Sequence, residues 1–144
     1  MTQAQNQSKL GYDLSPLAPE ERRRLEDLLD PEAARILLKQ GTEPPFCGRF
    51  HDHKADGVYN CALCTLPLFD SKTKFQSKSG WPSFYAPISD DHIVEVIDLS
   101  HGWVRTEIVC GRCHGHLGHV FDDGPAPTYQ RYCLNSVALH FQQK

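Results

Sequence analysis

The chain has 144 residues, 40% of them hydrophobic and 23% charged, enough for one domain with a real core and little room for a second. No uncharged apolar run approaches the ~20 residues that a bilayer span needs, which excludes a helical membrane protein. Fifteen Lys and Arg against eighteen Asp and Glu leave a formal net charge of −3, so no global positive field exists to hold a nucleic-acid backbone.

The first ten residues, MTQAQNQSKL, carry neither the apolar stretch of a secretory signal nor the Arg-rich pattern of a transit peptide, so the expected location is cytoplasmic. Residues 1–17 are polar, with no periodic apolar face, and are expected to form a flexible arm ahead of a single domain over 18–144. From Pro19 the pattern turns helical, with Leu25, Leu28 and Leu29 behind an acidic start of Glu20 and Glu21. Asp30 then reads as an N-cap with Pro31 after it, starting a second short helix through Ile36, Leu37 and Leu38 to a stop at Gly41.

Beyond residue 40 the texture changes. GTEPPFCGRF, with two prolines and two glycines, reads as an extended loop. Short runs rich in β-branched and aromatic residues follow at 58–61, 74–75, 93–97, 103–110, 119–121 and 136–141, separated by Gly, Pro and Asp clusters. In the longest, Val104, Thr106, Ile108 and Cys110 fall on one face and Trp103, Arg105, Glu107 and Val109 on the other. The expected fold is mainly β, an antiparallel core over 41–144 with small peripheral helices over 18–40.

Four of the six cysteines form two CxxC pairs, Cys61 with Cys64 and Cys110 with Cys113. Without a signal peptide, paired motifs fit a four-thiolate metal site better than disulfides, because a reducing compartment keeps thiols free. Zinc suits such a shell as a tetrahedron of four sulfurs, with Gly111 expected to help the second turn tighten. A filled shell leaves no place for a water nucleophile, so one structural zinc per chain is expected. Iron in the same shell, or one CxxC acting as a redox dithiol, are the alternatives.

Dense chemistry follows the second pair in CHGHLGHVFDDG and RYCLNS. His116 and His119 are three apart, Asp123 lies four beyond His119, and Arg131, Cys133 and Asn135 alternate, so on a strand those three share a face. A cysteine beside an arginine and near histidines has what a lowered thiol pKa needs, which makes Cys133 the candidate nucleophile. An inert buried cysteine is the bland alternative. With four sulfurs completing the metal shell, His116 and His119 are free for acid/base work, and Asp123 is placed to orient an imidazole. Trp81 and Phe84 of GWPSF offer a hydrophobic wall for a small apolar group, or else ordinary core packing.

GTEPPF, CALC and CGRC, KSGWPSF, GHLGHVFDDGP and RYCLNSVALHF, in this order and spacing from about residue 41 to 141, closely resemble methionine-R-sulfoxide reductases of the B type. The resemblance implies two antiparallel β-sheets flanked by helices, a zinc remote from the reaction centre, and reduction of free or protein-bound methionine R-sulfoxide. It gives Cys133 as the cysteine that attacks the sulfoxide and becomes a sulfenic acid, His119 with His116 as the groups assisting the oxygen, and Asn135 as an orienting residue. Asp123 and Arg131 match positions that hold the polar part of the substrate or tune the cysteine, and Trp81 the aromatic that receives the S-methyl group. Many members carry a resolving cysteine two residues before that tryptophan. Here the place is Ser79, which makes Cys47 the expected resolving cysteine and a Cys47–Cys133 disulfide the species that thioredoxin would reduce; the alternative is a surface-loop Cys47, with thioredoxin or a small thiol acting directly on Cys133. The rival from another class is a non-enzymatic, zinc-ribbon-like binding module. For nucleic acid it would need a basic stripe beside the CxxC pairs, and those neighbourhoods are neutral or histidine-rich.

Overall fold

The computed structural model describes residues 6–46, 48–100 and 102–144, so Cys47 lies outside the described residues. Helix α1 (Pro19–Asp27) opens on a proline, whose missing N–H has no partner to lose, with Glu20 and Glu21 in the first turn. Helix α2 (Pro31–Lys39) is capped by Asp30, whose carboxylate accepts from Ala33 N–H at 2.9 Å. Ala33, Ile36 and Leu37, spaced three and four apart, give it one buried face. The turn that ends it comes one residue before the expected glycine: Gln40 takes the left-handed φ of 57°, and Gly41 N–H closes back on the Arg35 carbonyl at 3.2 Å.

The strands are β1 (Gly57–Cys61), β2 (Pro67–Asp70), β3 (Lys74–Phe75), β4 (Ser83–Phe84), β5 (Ile93–Asp98), β6 (Arg105–Cys110), β7 (His116–Phe121), β8 (Arg131–Leu134) and β9 (Leu139–Gln143). They form two sheets, ordered β2-β1-β9 and β3-β4-β8-β7-β6-β5, and the pairs are antiparallel. This is the mainly β architecture that the alternating runs imply. Rings from both sheets meet in the core, with Phe84 stacked on Phe69 at 4.6 Å and edge-on to Tyr59 at 5.1 Å. Helix α2 packs on β7, covering part of the opposite face of the larger sheet. Strand β6 is therefore buried on both sides, with Ile108 and Cys110 toward one and Glu107 and Val109 toward the other.

Residues 6–17 depart from the expectation of a flexible arm. Gln7 bridges to Asp13, the Ser8 hydroxyl lies 2.8 Å from Nε2 of buried His92, and Arg112 donates to the Ser15 carbonyl at 3.0 Å. A polar segment lacks an apolar signature, yet it can be fastened by specific hydrogen bonds. Among the described residues no helix is long and apolar enough to cross a membrane.

Candidate active site and thiol cluster

The two CxxC pairs sit in matching hairpin turns on different sheets. In the turn between β1 and β2, Thr65 N–H donates to the Cys61 carbonyl and Cys61 N–H to the Leu66 carbonyl. Between β6 and β7, His114 N–H and the Cys110 carbonyl, then Cys110 N–H and the Gly115 carbonyl, repeat that pattern. The residue after each second cysteine supplies the left-handed turn, Thr65 at φ 69° and His114 at φ 62°. Gly111 therefore does not set this turn as expected. Its missing side chain instead admits the His92 backbone, whose carbonyl accepts from Gly111 N–H at 2.8 Å.

The four sulfurs are buried and lie within 4.8 Å of one another, with Cys61 to Cys113 at 3.6 Å and Cys64 to Cys110 at 3.4 Å. A tetrahedron with metal–sulfur bonds of ~2.3 Å has edges of ~3.8 Å, so the cluster fits one metal ion. Sulfur-to-sulfur hydrogen bonds hold the Cys64 and Cys113 thiols below the ordinary value and push Cys61 and Cys110 above it. Backbone N–H groups of Arg112 and Gly115 approach the Cys110 and Cys113 sulfurs at 3.4 Å, supporting thiolate charge.

On the helix-covered face of the larger sheet, strand register assembles a row of side chains. Cys133 on β8 stands opposite Ser83 on β4 and His119 on β7, and His119 stands opposite Glu107 on β6. His116 and His119, three apart, would face opposite ways on a regular strand. A bulge prevents this: Ile108 pairs with Gly118 and Val109 with His116, leaving Leu117 as the extra residue, and the two imidazoles come to 5.5 Å on one face. Gly118 is required there, because a Cβ would fall 1.9 Å from the Cys133 carbonyl oxygen.

A cavity of about 200 Å³ opens beside this row, lined by Ser79, Trp81, His119, Phe121, Arg131, Cys133 and Asn135 among others. The Trp81 indole is fixed by donating to the Glu43 carbonyl at 2.9 Å. The Asn135 amide accepts from Glu43 N–H at 2.9 Å and donates to the Leu117 carbonyl at 3.0 Å, bracing the 42–45 loop against the bulge. Arg131 lies over the Phe121 ring, 4.5 Å from its centroid, and pairs with Asp123 at 2.8 Å. Burial works against the Arg131 charge, but the Asp123 hydrogen bond and the nearby Cys133 sulfur outweigh it and raise the Arg131 pKa.

Four expectations need correction. Burial pushes the Cys133 thiol up, and hydrogen bonding from Ser79 at 3.9 Å together with Arg131 only partly offsets it. Asp123 meets Arg131 and orients no imidazole; His119 Nε2 instead donates to Asp98 at 2.8 Å, and His116 Nδ1 pairs with Glu107 at 2.7 Å. Phe84 faces the aromatic core and lines no part of the cavity. His116 is also buried behind His119, away from the cavity wall. Burial lowers the His119 pKa, with the Asp98 hydrogen bond opposing and Arg105 reinforcing the shift. Asp98 is itself held by Ser100 N–H and hydroxyl at 2.9 and 2.6 Å, a D-x-S turn signal readable in the sequence. Glu107 had a weaker signal, the lone acid of the 103–110 run.

Residues 29–143 match the SelR domain. The peptide methionine sulfoxide reductase MsrB of Caulobacter vibrioides is 57% identical over 141 residues, covering 98% of this chain and 89% of that protein. MsrB of Xylella fastidiosa is 55% identical over 130 residues, covering 90% and 84%. MsrB of Pseudomonas fluorescens is 58% identical over 112 residues, covering 78% and 86%.

Proposed function

Because the chain belongs to the SelR-domain family of MsrB enzymes, which reduce methionine R-sulfoxide, we propose that Cys133 is its nucleophile and His119 its proton carrier. The observation that carries this reading is the cross-strand pairing of Cys133 with a His119 already fixed by Asp98. A thiol with a raised pKa needs a base, and His119, with its Nε2 proton engaged by Asp98, has Nδ1 left to accept one. The Cys133 sulfur attacks the sulfoxide sulfur, and the imidazolium, steadied by Asp98, returns the proton to the oxygen. The hydroxyl then passes from the substrate sulfur to the Cys133 sulfur as the new S–S bond and the S–O bond break, so Cys133 is oxidised by two electrons to a sulfenic acid and the reduced substrate leaves as methionine, the thioether. Trp81 receives the S-methyl group, Arg131 stabilises the thiolate, Asp123 holds Arg131, and Asn135 keeps the cavity in shape.

Cys47 attacks the sulfenic sulfur, a disulfide forms and water leaves; thioredoxin then reduces the disulfide. Support comes from its neighbour Phe46, whose N–H donates to the Gly80 carbonyl at 2.7 Å, next to the Ser79 that approaches Cys133. The metal at the thiol cluster is zinc, which when bound supplies a structural cross-link, since four sulfurs fill its shell. A compartment that keeps thiols reduced, such as the cytosol, suits both sets of cysteines. The binding-module alternative falls with the family match, and convergence of both CxxC pairs on one cluster removes the redox-dithiol reading. Turnover on separated R and S epimers tests the function. Wild type should consume the R epimer, and Cys133→Ser should consume neither while keeping its fold. Comparable R-epimer turnover by that variant would remove Cys133 from its role.

A further inference from the structure

We propose that Glu107, held in place by Gln40, is a positioning residue that fixes the tautomer and orientation of His116 behind His119. This rests on the reading of His119 as proton carrier and extends it to the residues behind. Glu107 and His116 are each about 4% exposed, and Oε2 of the one lies 2.7 Å from Nδ1 of the other. Gln40 Nε2 donates to both Glu107 oxygens at 3.1 Å. A carboxylate met by donors on each side is an acceptor throughout, so the proton of the short contact sits on His116 Nδ1. His116 Nε2, buried and without a hydrogen-bond partner among the described residues, is then the ring nitrogen without a fixed proton, in an imidazole 5.5 Å from that of His119.

The conformation of Gln40 is an independent observation. Its φ of 57° belongs to the left-handed region that glycine usually fills at a helix end, and the next residue is Gly41. A cap alone would place glycine one position earlier. The strain is explained by an amide that must reach Glu107 from the end of α2. Ionisable groups facing the pair are Glu107 from β6, Asp98 and Arg105 against His119 from β5 and β6, and Arg131 and Cys133 across the cavity on β8. His114 borders the groove beside His116, and Lys39 closes the last turn of α2.

The test uses the metal-loaded full chain in single-turnover reduction of N-acetylated methionine R-sulfoxide across pH. Losing the carboxylate frees the His116 ring behind His119 to change tautomer and orientation, so Glu107→Gln should slow the step about tenfold or more at neutral pH. Glu107→Gln combined with His116→Gln should be no slower than His116→Gln alone. Gln40→Gly relieves the backbone while deleting both hydrogen bonds, so it should unfold at the same or higher temperature yet slow the same step. If Glu107→Gln fails to fold, as judged by metal content and circular dichroism, Gln40→Gly carries the test. Imidazole ¹⁵N spectra should show His116 protonated at Nδ1 in wild type. An unchanged single-turnover rate in the folded variants, or a His116 protonated only at Nε2, would overturn the proposal. Turnover retained by Cys133→Ser would defeat the underlying site reading instead, and the His116 spectra would still decide this one.

Discussion

Burial of Cys133 makes the resting enzyme a thiol, and that has a direct readout. Its pKa lies above the ordinary 9.0, so alkylation of the Cys133 peptide by iodoacetamide, followed by mass spectrometry, should be slow at pH 7 and still climbing at pH 9. A plateau below pH 8 would contradict the raised value. Asp98 acts one atom further from the chemistry. In Asp98→Asn the amide still accepts from His119 but no longer steadies an imidazolium, so the single-turnover rate should fall by about 10² or more with little change in substrate binding. The Asp98 carboxyl is held well below its usual range by Ser100 and His119. A depressed acid stabilises the fold above its unfolded pKa and loses that contribution as pH falls. Acid unfolding of Asp98→Asn should therefore be shallower than wild type below about pH 4.

Elements that announce themselves by local chemistry were legible in the sequence, and those made by pairing were not. Asp30 followed by Pro31 gave the start of α2, and the runs at 58–61 and 93–97 correspond to β1 and β5. Strand β4 has only two residues and exists because β8 pairs with it, a relation invisible to a local pattern. The bulge in β7 is likewise set by its partner, which is why the spacing of His116 and His119 could not reveal their shared face. The Asp30 cap offers a check on how far α2 supports the site. Asp30→Ala should cost about 1 kcal/mol in denaturant unfolding while metal content stays at one ion per chain. Loss of the metal in a folded Asp30→Ala would mean that α2 holds the thiol cluster as well.

Across the whole molecule, the thiol cluster joins the three-stranded sheet to the six-stranded one through two hairpin turns. The thiol cluster was legible because CxxC spacing itself brings two thiols to one turn, whereas Asp98 and Glu107 are placed only by register between distant strands. Stripping the metal with a thiol-reactive mercurial and a chelator should lower the unfolding midpoint sharply and abolish activity together, since β7 leaves the second turn and carries both histidines. Full activity in metal-free, folded protein would refute the link. The same arrangement sorts sulfur by access to oxidants. Cys61, Cys64, Cys110 and Cys113 are 0%, 7%, 0% and 3% exposed, while Cys133 opens onto the cavity. A protein that works where methionine is being oxidised meets the same oxidants itself, and thiol oxidation follows thiolate character and exposure. The fold thus insulates the sulfurs of the thiol cluster and presents Cys133, the one whose oxidation the proposed cycle requires.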